Sequence, residues 1–202
     1  MCTAFFSLMK VFMNTYMIIN KLSKNYNLIS LNEVKESLAI DAGDNAYDSQ
    51  IRRYIKSSCN EAEHLIGQDI ALTYNELIES SYICPFSFSC YEIGQGNITV
   101  SAITLTTIDA EGNESVSTLS GSTYFVEANQ NFTRIRFKNW ITGNVLKIYF
   151  TSGYATAIPE PLKQAISVRV ATYLDAERSE YVQNGMIRNK AFNRLLSPYI
   201  NL

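Results

Sequence analysis

Two prolines just ahead of an apolar, helically spaced run constrain this chain more than any other feature. Pro159-Glu160-Pro161-Leu162 leads into Lys163-Gln164-Ala165-Ile166. Proline suits the first turn of a helix, where the amides lack partners and φ is already set. Apolar residues then recur at Leu162, Ala165, Ile166, Val170, Tyr173 and Leu174, one face at helical spacing. The pattern predicts a helix over about 160–178. A second short helix follows and ends at Leu195-Leu196-Ser197-Pro198-Tyr199. Arg169 falls near the middle of the apolar face. Its stem can pack while its head reaches water or a carboxylate, or the face can meet another chain.

The rest of the 202-residue chain suits one domain, or one domain with a small partner. Hydrophobic residues make up 47% and charged residues 18%, which excludes a disordered chain. The formal net charge of −2 does not suit a basic nucleic-acid binder, whose affinity comes from neutralising phosphates. Cys2, Cys59, Cys84 and Cys90 match no paired zinc spacing. Cys84 and Cys90 could face each other across a turn, but reduced thiols in a cytoplasmically made protein are the expectation. The lone His64 falls on the charged side of a predicted helix and leaves no Ser-His or Cys-His pair with a local signature. No cofactor and no metal site is expected.

Along the chain, residues 1–27 form an extension with an apolar run broken by Lys10. The run is too short for a membrane span and has no clear signal-peptide layout. A helical part follows over 28–69. Ser30 and Glu33 stand at the spacing of a capping box, opening a helix to about Leu38. After a turn at 41–45, a long helix is expected over 46–66, with Tyr47, Ile51, Tyr54, Ile55, Ser58, Ala62 and Leu65 on its inner face. Gly67 sits where a left-handed cap belongs. Residues 70–152 read as a β-rich insert, with strands near 70–77, 98–108, 115–119, 123–127, 133–137 and 145–150, the second with a bulge. The 83–93 stretch, broken by Pro85, reads as an edge strand or loop. Ala110-Glu111-Gly112-Asn113 is a hairpin signal. Arg134, Arg136 and Lys138 alternate with Ile135 and Phe137. They form a basic strand face that is either solvated or turned toward an acidic partner or nucleic acid. Residues 153–202 return to helix. The expected fold class is α+β: a helical core from the two terminal segments with a β-rich insert between them.

The order and spacing of these signals resemble the phage head–tail connector family, the adaptor proteins beneath the portal. The resemblance rests on Leu28-Ile29-Ser30-Leu31-x-Glu33-Val34-Lys35-x-x-Leu38-x-Ile40-Asp41 and on the helix carrying Ile51, Ile55, Ala62 and Leu65-Ile66-Gly67. It continues at Ile148-x-Phe150-x-x-Gly153-Tyr154, Ile158-Pro159-x-Pro161-Leu162-x-x-Ala165-Ile166, Tyr173, Arg178-x-Glu180 and Leu195-Leu196-Ser197-Pro198-Tyr199. It spans about residues 28–202. The Arg178–Glu180 pair stands further from Tyr173 than in the family, and the insert is longer than in its smallest members. The resemblance implies a non-enzymatic virion protein, made in the host bacterial cytoplasm and seated at the portal vertex. It implies a cyclic homo-oligomer of about twelve copies. Its partners would be the portal protein and a tail or second connector protein. Genomic DNA would pass without sequence-specific binding, and no membrane is involved.

Two other functions fit parts of the sequence. Asp41, Asp44 and Asp48 could serve a small carboxylate-dependent hydrolase, although turn and cap roles explain them better. The insert could instead be the recognition surface of a binding module. For the connector reading, the candidate interface comprises Arg169, Arg178, Arg188, Lys190, Phe192, Arg194 and Tyr199, because Arg and aromatic side chains are enriched at interface centres. Residues 186–202 are strongly apolar for a chain end, so they must dock on the chain's own helices or on another protein.

Overall fold

The computed structural model describes residues 15–26, 29–81, 85–96, 98–129, 132–178 and 190–200. The chain forms two compact units, one from residues 1–24 and 73–152, the other from 25–72 and 153–202.

The first unit is built of strands β1 (Thr15–Asn25), β2 (Leu72–Ser81), β3 (Phe86–Ile93), β4 (Thr99–Ile108), β5 (Glu114–Thr118), β6 (Tyr124–Ala128), β7 (Thr133–Gly143) and β8 (Val145–Ser152). They form a five-stranded sheet, order β1-β2-β8-β4-β5, and a three-stranded sheet, order β3-β7-β6. Strand alternation is clearest in β8, where Leu146, Ile148, Phe150 and Ser152 are buried and the residues between them are not. The apolar faces of both sheets meet in one core that includes Leu77, Ile103, Leu146 and Ile148 from the larger sheet and Phe86, Tyr91, Ile135 and Phe137 from the smaller. Asn144 turns the chain from β7 into β8. Its side-chain Oδ1 accepts from the Ile108 amide at 2.9 Å, and its own amide donates to the Thr106 carbonyl at 2.8 Å. The bulge expected in β4 is present: pairing with β8 shifts between Val100 and Ala102. Pro85 immediately precedes β3, which lies at a sheet edge, where a missing donor costs little.

The second unit contains helices α1 (Leu31–Ser37), α2 (Asp48–Ile66), α3 (Glu160–Arg178) and α4 (Lys190–Leu196). The capping box closes as the spacing predicts. The Glu33 amide donates to Ser30 Oγ at 3.1 Å, and the Ser30 amide donates to Glu33 Oε2 at 3.2 Å. Gly67 ends α2 at φ 73°, with its amide on the Glu63 carbonyl at 2.9 Å. Helices α2 and α3 pack through Ile51, Ile55, Ala62, Leu162, Ile166 and Val170. One inner-face assignment is off by a residue: Leu65 is 42% exposed and Ile66 takes the buried place. Glu63 is buried beside it, with Oε1 accepting from the Ile70 and Ala71 amides, both at 2.9 Å. This bond closes the turn out of α2.

The expected fold class, a helical core carrying a β-rich insert, is therefore overturned. Among the described residues strand outweighs helix, 41% against 34%, and the strands form two antiparallel sheets. The reason is physical. No strand has a core by itself, and its partners are remote in sequence, so each looks subordinate alone, yet face-to-face packing gives the sheets a core of their own. The helices have the stronger periodicity in sequence but the smaller share of the structure.

Candidate interaction surfaces

The acidic turn ahead of α2 is taken up by local structure. Asp41 Oδ1 accepts from the Gly43 amide at 2.7 Å and Asp44 Oδ1 from the Ala46 amide at 3.0 Å. Asp48 pairs with the ammonium of Lys35, which is buried. Lys35 Nζ also donates to the Asp44 carbonyl at 2.8 Å and the Ala42 carbonyl at 3.3 Å. A buried cation needs such partners, and here they pin the turn to α1. Among the described residues, no group of His, Cys, Asp or Glu could hold a metal. No described helix is long and apolar enough to cross a membrane. Cys59 is buried, with its thiol 3.8 Å from Glu63 Oε1, and Cys90 is half-buried; Cys2 and Cys84 lie outside the described residues.

Arg169 makes a bidentate pair within its own unit. Its Nε donates to Glu61 Oε2 at 2.7 Å and its Nη2 to Glu61 Oε1 at 2.6 Å. Tyr173 donates to the same carboxylate at 2.9 Å. The guanidinium lies 4.8 Å from the Tyr173 ring centre and 5.4 Å from that of Phe192. Its hydrogen bonds to the Glu61 carboxylate raise the Arg169 pKa. Burial, and then Glu61, raises that of Tyr173. This planar, stacked arrangement is one that arginine supports and lysine does not. Phe192 and Leu196 are buried in the helical core, with Leu195 and Tyr199 packed against it. The described part of the apolar chain end thus docks on its own helices. Arg194 is exposed. Arg178 and Lys190 lie at the ends of α3 and α4. Arg188 lies outside the described residues.

The three cations of β7 do share one sheet face, but carboxylates and rings from the flanking strands surround them. Arg134 pairs with Glu92 of β3 at 2.8 Å, which raises its pKa, and Arg136 pairs with Glu127 of β6 at 3.2 Å. Lys138 lies 5.0 Å from the Phe125 ring centre. The face therefore mixes charge with exposed aromatic surface, Phe125 at 57% exposure. Sequence reasoning missed a second surface, β1, where Met17, Ile18, Ile19 and Leu22 are all exposed. The apolar run there was legible, but its position at a sheet edge was not.

The fold resembles three structures of one kind of particle. The chain shares its fold with chains from the neck of a gene transfer agent particle. One, from the neck of the empty particle with C6 symmetry, superposes at TM-score 0.68 with 15% identity over 92% of this chain and 96% of that one. A second, from the native particle's neck with C12 symmetry, gives 0.62 and 17% over the same shares. A third, from the native virion, gives 0.62 and 15%, again over 92% and 96%. No family model and no curated protein matches the chain.

Proposed function

We propose that this chain is a structural protein of the neck of a phage-like particle, a head–tail connector subunit. The carrying observation is the near-complete, reciprocal fold match to neck chains. Fold alone does not assign function, but two further observations support the reading. The helical motifs that resemble the connector family belong to one packed unit. The carboxylates that an enzyme would need are engaged in turns and in the Lys35 pair. On this reading the protein works by binding, with no bond chemistry. Copies form a closed ring of about twelve by heterologous contacts, beneath the portal and joined to the tail or a second ring. The net charge of −2 suits a channel through which DNA passes, since a basic lining would hold phosphates.

Gold-labelled antibody on purified particles tests this. Label at a single vertex, and tail-less heads when the gene is deleted, are the expected results. Label absent from particles, or tailed and infective particles from the deletion, would overturn the proposal.

A further inference from the structure

The five-stranded sheet ends in β1 on one side and β5 on the other, and among the described residues no further strand pairs with either edge. Neighbouring residues of a strand point to opposite faces, so Ile18 and Ile19, 53% and 43% exposed, place apolar surface on both faces of β1. Met17 at 53% and Leu22 at 59% extend it. A long apolar edge of this kind invites pairing with another strand. At the opposite edge, the Leu119 amide donates to the Ile103 carbonyl at 2.8 Å. The β4–β5 register sets Leu105 against Ser117 and Thr107 against Ser115. Antiparallel alternation therefore turns the backbone groups of Ser115 and Ser117 toward β4, and those of Glu114, Val116 and Thr118 outward. Val116 is 65% exposed.

We infer that β1 of one copy pairs with β5 of the next, continuing the sheet from subunit to subunit. The inference rests on the neck reading and names the contact that would close the ring. Three observations favour a second copy as the occupant. One sheet carries two different open edges, the requirement of a head-to-tail contact. The two edge segments also differ in charged composition. Residues 15–25 contain Lys21 and Lys24 and no carboxylate, while 109–118 contain Asp109, Glu111 and Glu114 and no cation. Finally, the neck chains that share the fold come from C6 and C12 assemblies.

The test mixes wild-type copies labelled with nitrogen-14 and nitrogen-15, then joins amines to carboxylates with a zero-length carbodiimide. Mixed-isotope links between Lys21 or Lys24 and Glu111 or Glu114 are expected. In parallel, Val116→Pro removes one outward donor, a change an edge strand tolerates, whereas Val116→Thr keeps it. Sedimentation should show at least tenfold less oligomer for Val116→Pro and wild-type behaviour for Val116→Thr, with both monomers retaining the wild-type circular dichroism. Should Val116→Pro lose that spectrum, the link map alone decides. An oligomer without β1–β5 links, β1–β1 links, or an oligomer undiminished in a folded Val116→Pro variant overturns the pairing while vertex labelling still stands. Protection, in the monomer, of those amides of residues 15–25 that face away from β2 would assign the cover to the chain itself and overturn it too, as would a chain that never self-associates. Absence from particles instead removes the neck reading.

Discussion

Gly153 and Gly67 offer a matched pair of substitutions in which only one meets a steric obstacle. Both residues have positive φ, 83° and 73°, and both belong to the helical unit. A Cβ at Gly67 would meet nothing within 4 Å, whereas at Gly153 it would lie 2.4 Å from the Ala71 carbonyl oxygen and 3.0 Å from that of Ile70. The obstacle is backbone. It is further held because the Tyr154 amide donates to the Ile70 carbonyl at 3.1 Å, so it cannot swing aside as a side chain would. Placing alanine in the left-handed region costs about 1–2 kcal/mol, and this is the whole expected cost of Gly67→Ala. Gly153→Ala adds a packing clash of about 1–3 kcal/mol, for about 2–5 kcal/mol in total. Urea unfolding followed by circular dichroism at 222 nm measures both, with an unchanged slope required for the comparison. Equal losses from the two variants, within about 0.5 kcal/mol, would refute the close approach at Gly153.

The Glu61–Arg169 pair should show a coupling of about 1–3 kcal/mol in a double-mutant cycle using Glu61→Gln and Arg169→Gln; a coupling near zero in urea unfolding would mean that the bidentate contact contributes nothing. Glu33 has its pKa lowered, first by the Ser30 amide and then by Lys163. A folded pKa below the unfolded one stabilises above the unfolded value and loses that contribution as pH falls through the folded one. The stability advantage of wild type over Glu33→Gln should therefore be present at pH 7 and shrink below about pH 4, and a constant difference across that window would contradict the assignment.

Local signals in the sequence determined several of the helix ends. Ser30 and Glu33 are three residues apart, and Gly67 directly follows the last turn of α2, so their partners lie within one turn of helix. Pro159 and Pro161, with the apolar spacing behind them, likewise set the start of α3. Tertiary structure decided the rest, because strand partners are remote in sequence. Sequence alternation put the β7 cations on one strand face, but only the fold set Glu92, 42 residues from Arg134, beside them. Likewise only the fold brings Glu61, 108 residues away, to two of the donors of Arg169. Similarly, alternation identifies a strand but says nothing of its neighbour. That residues 15–25 and 114–118 form the two edges of one sheet followed only from the pairing of all five strands.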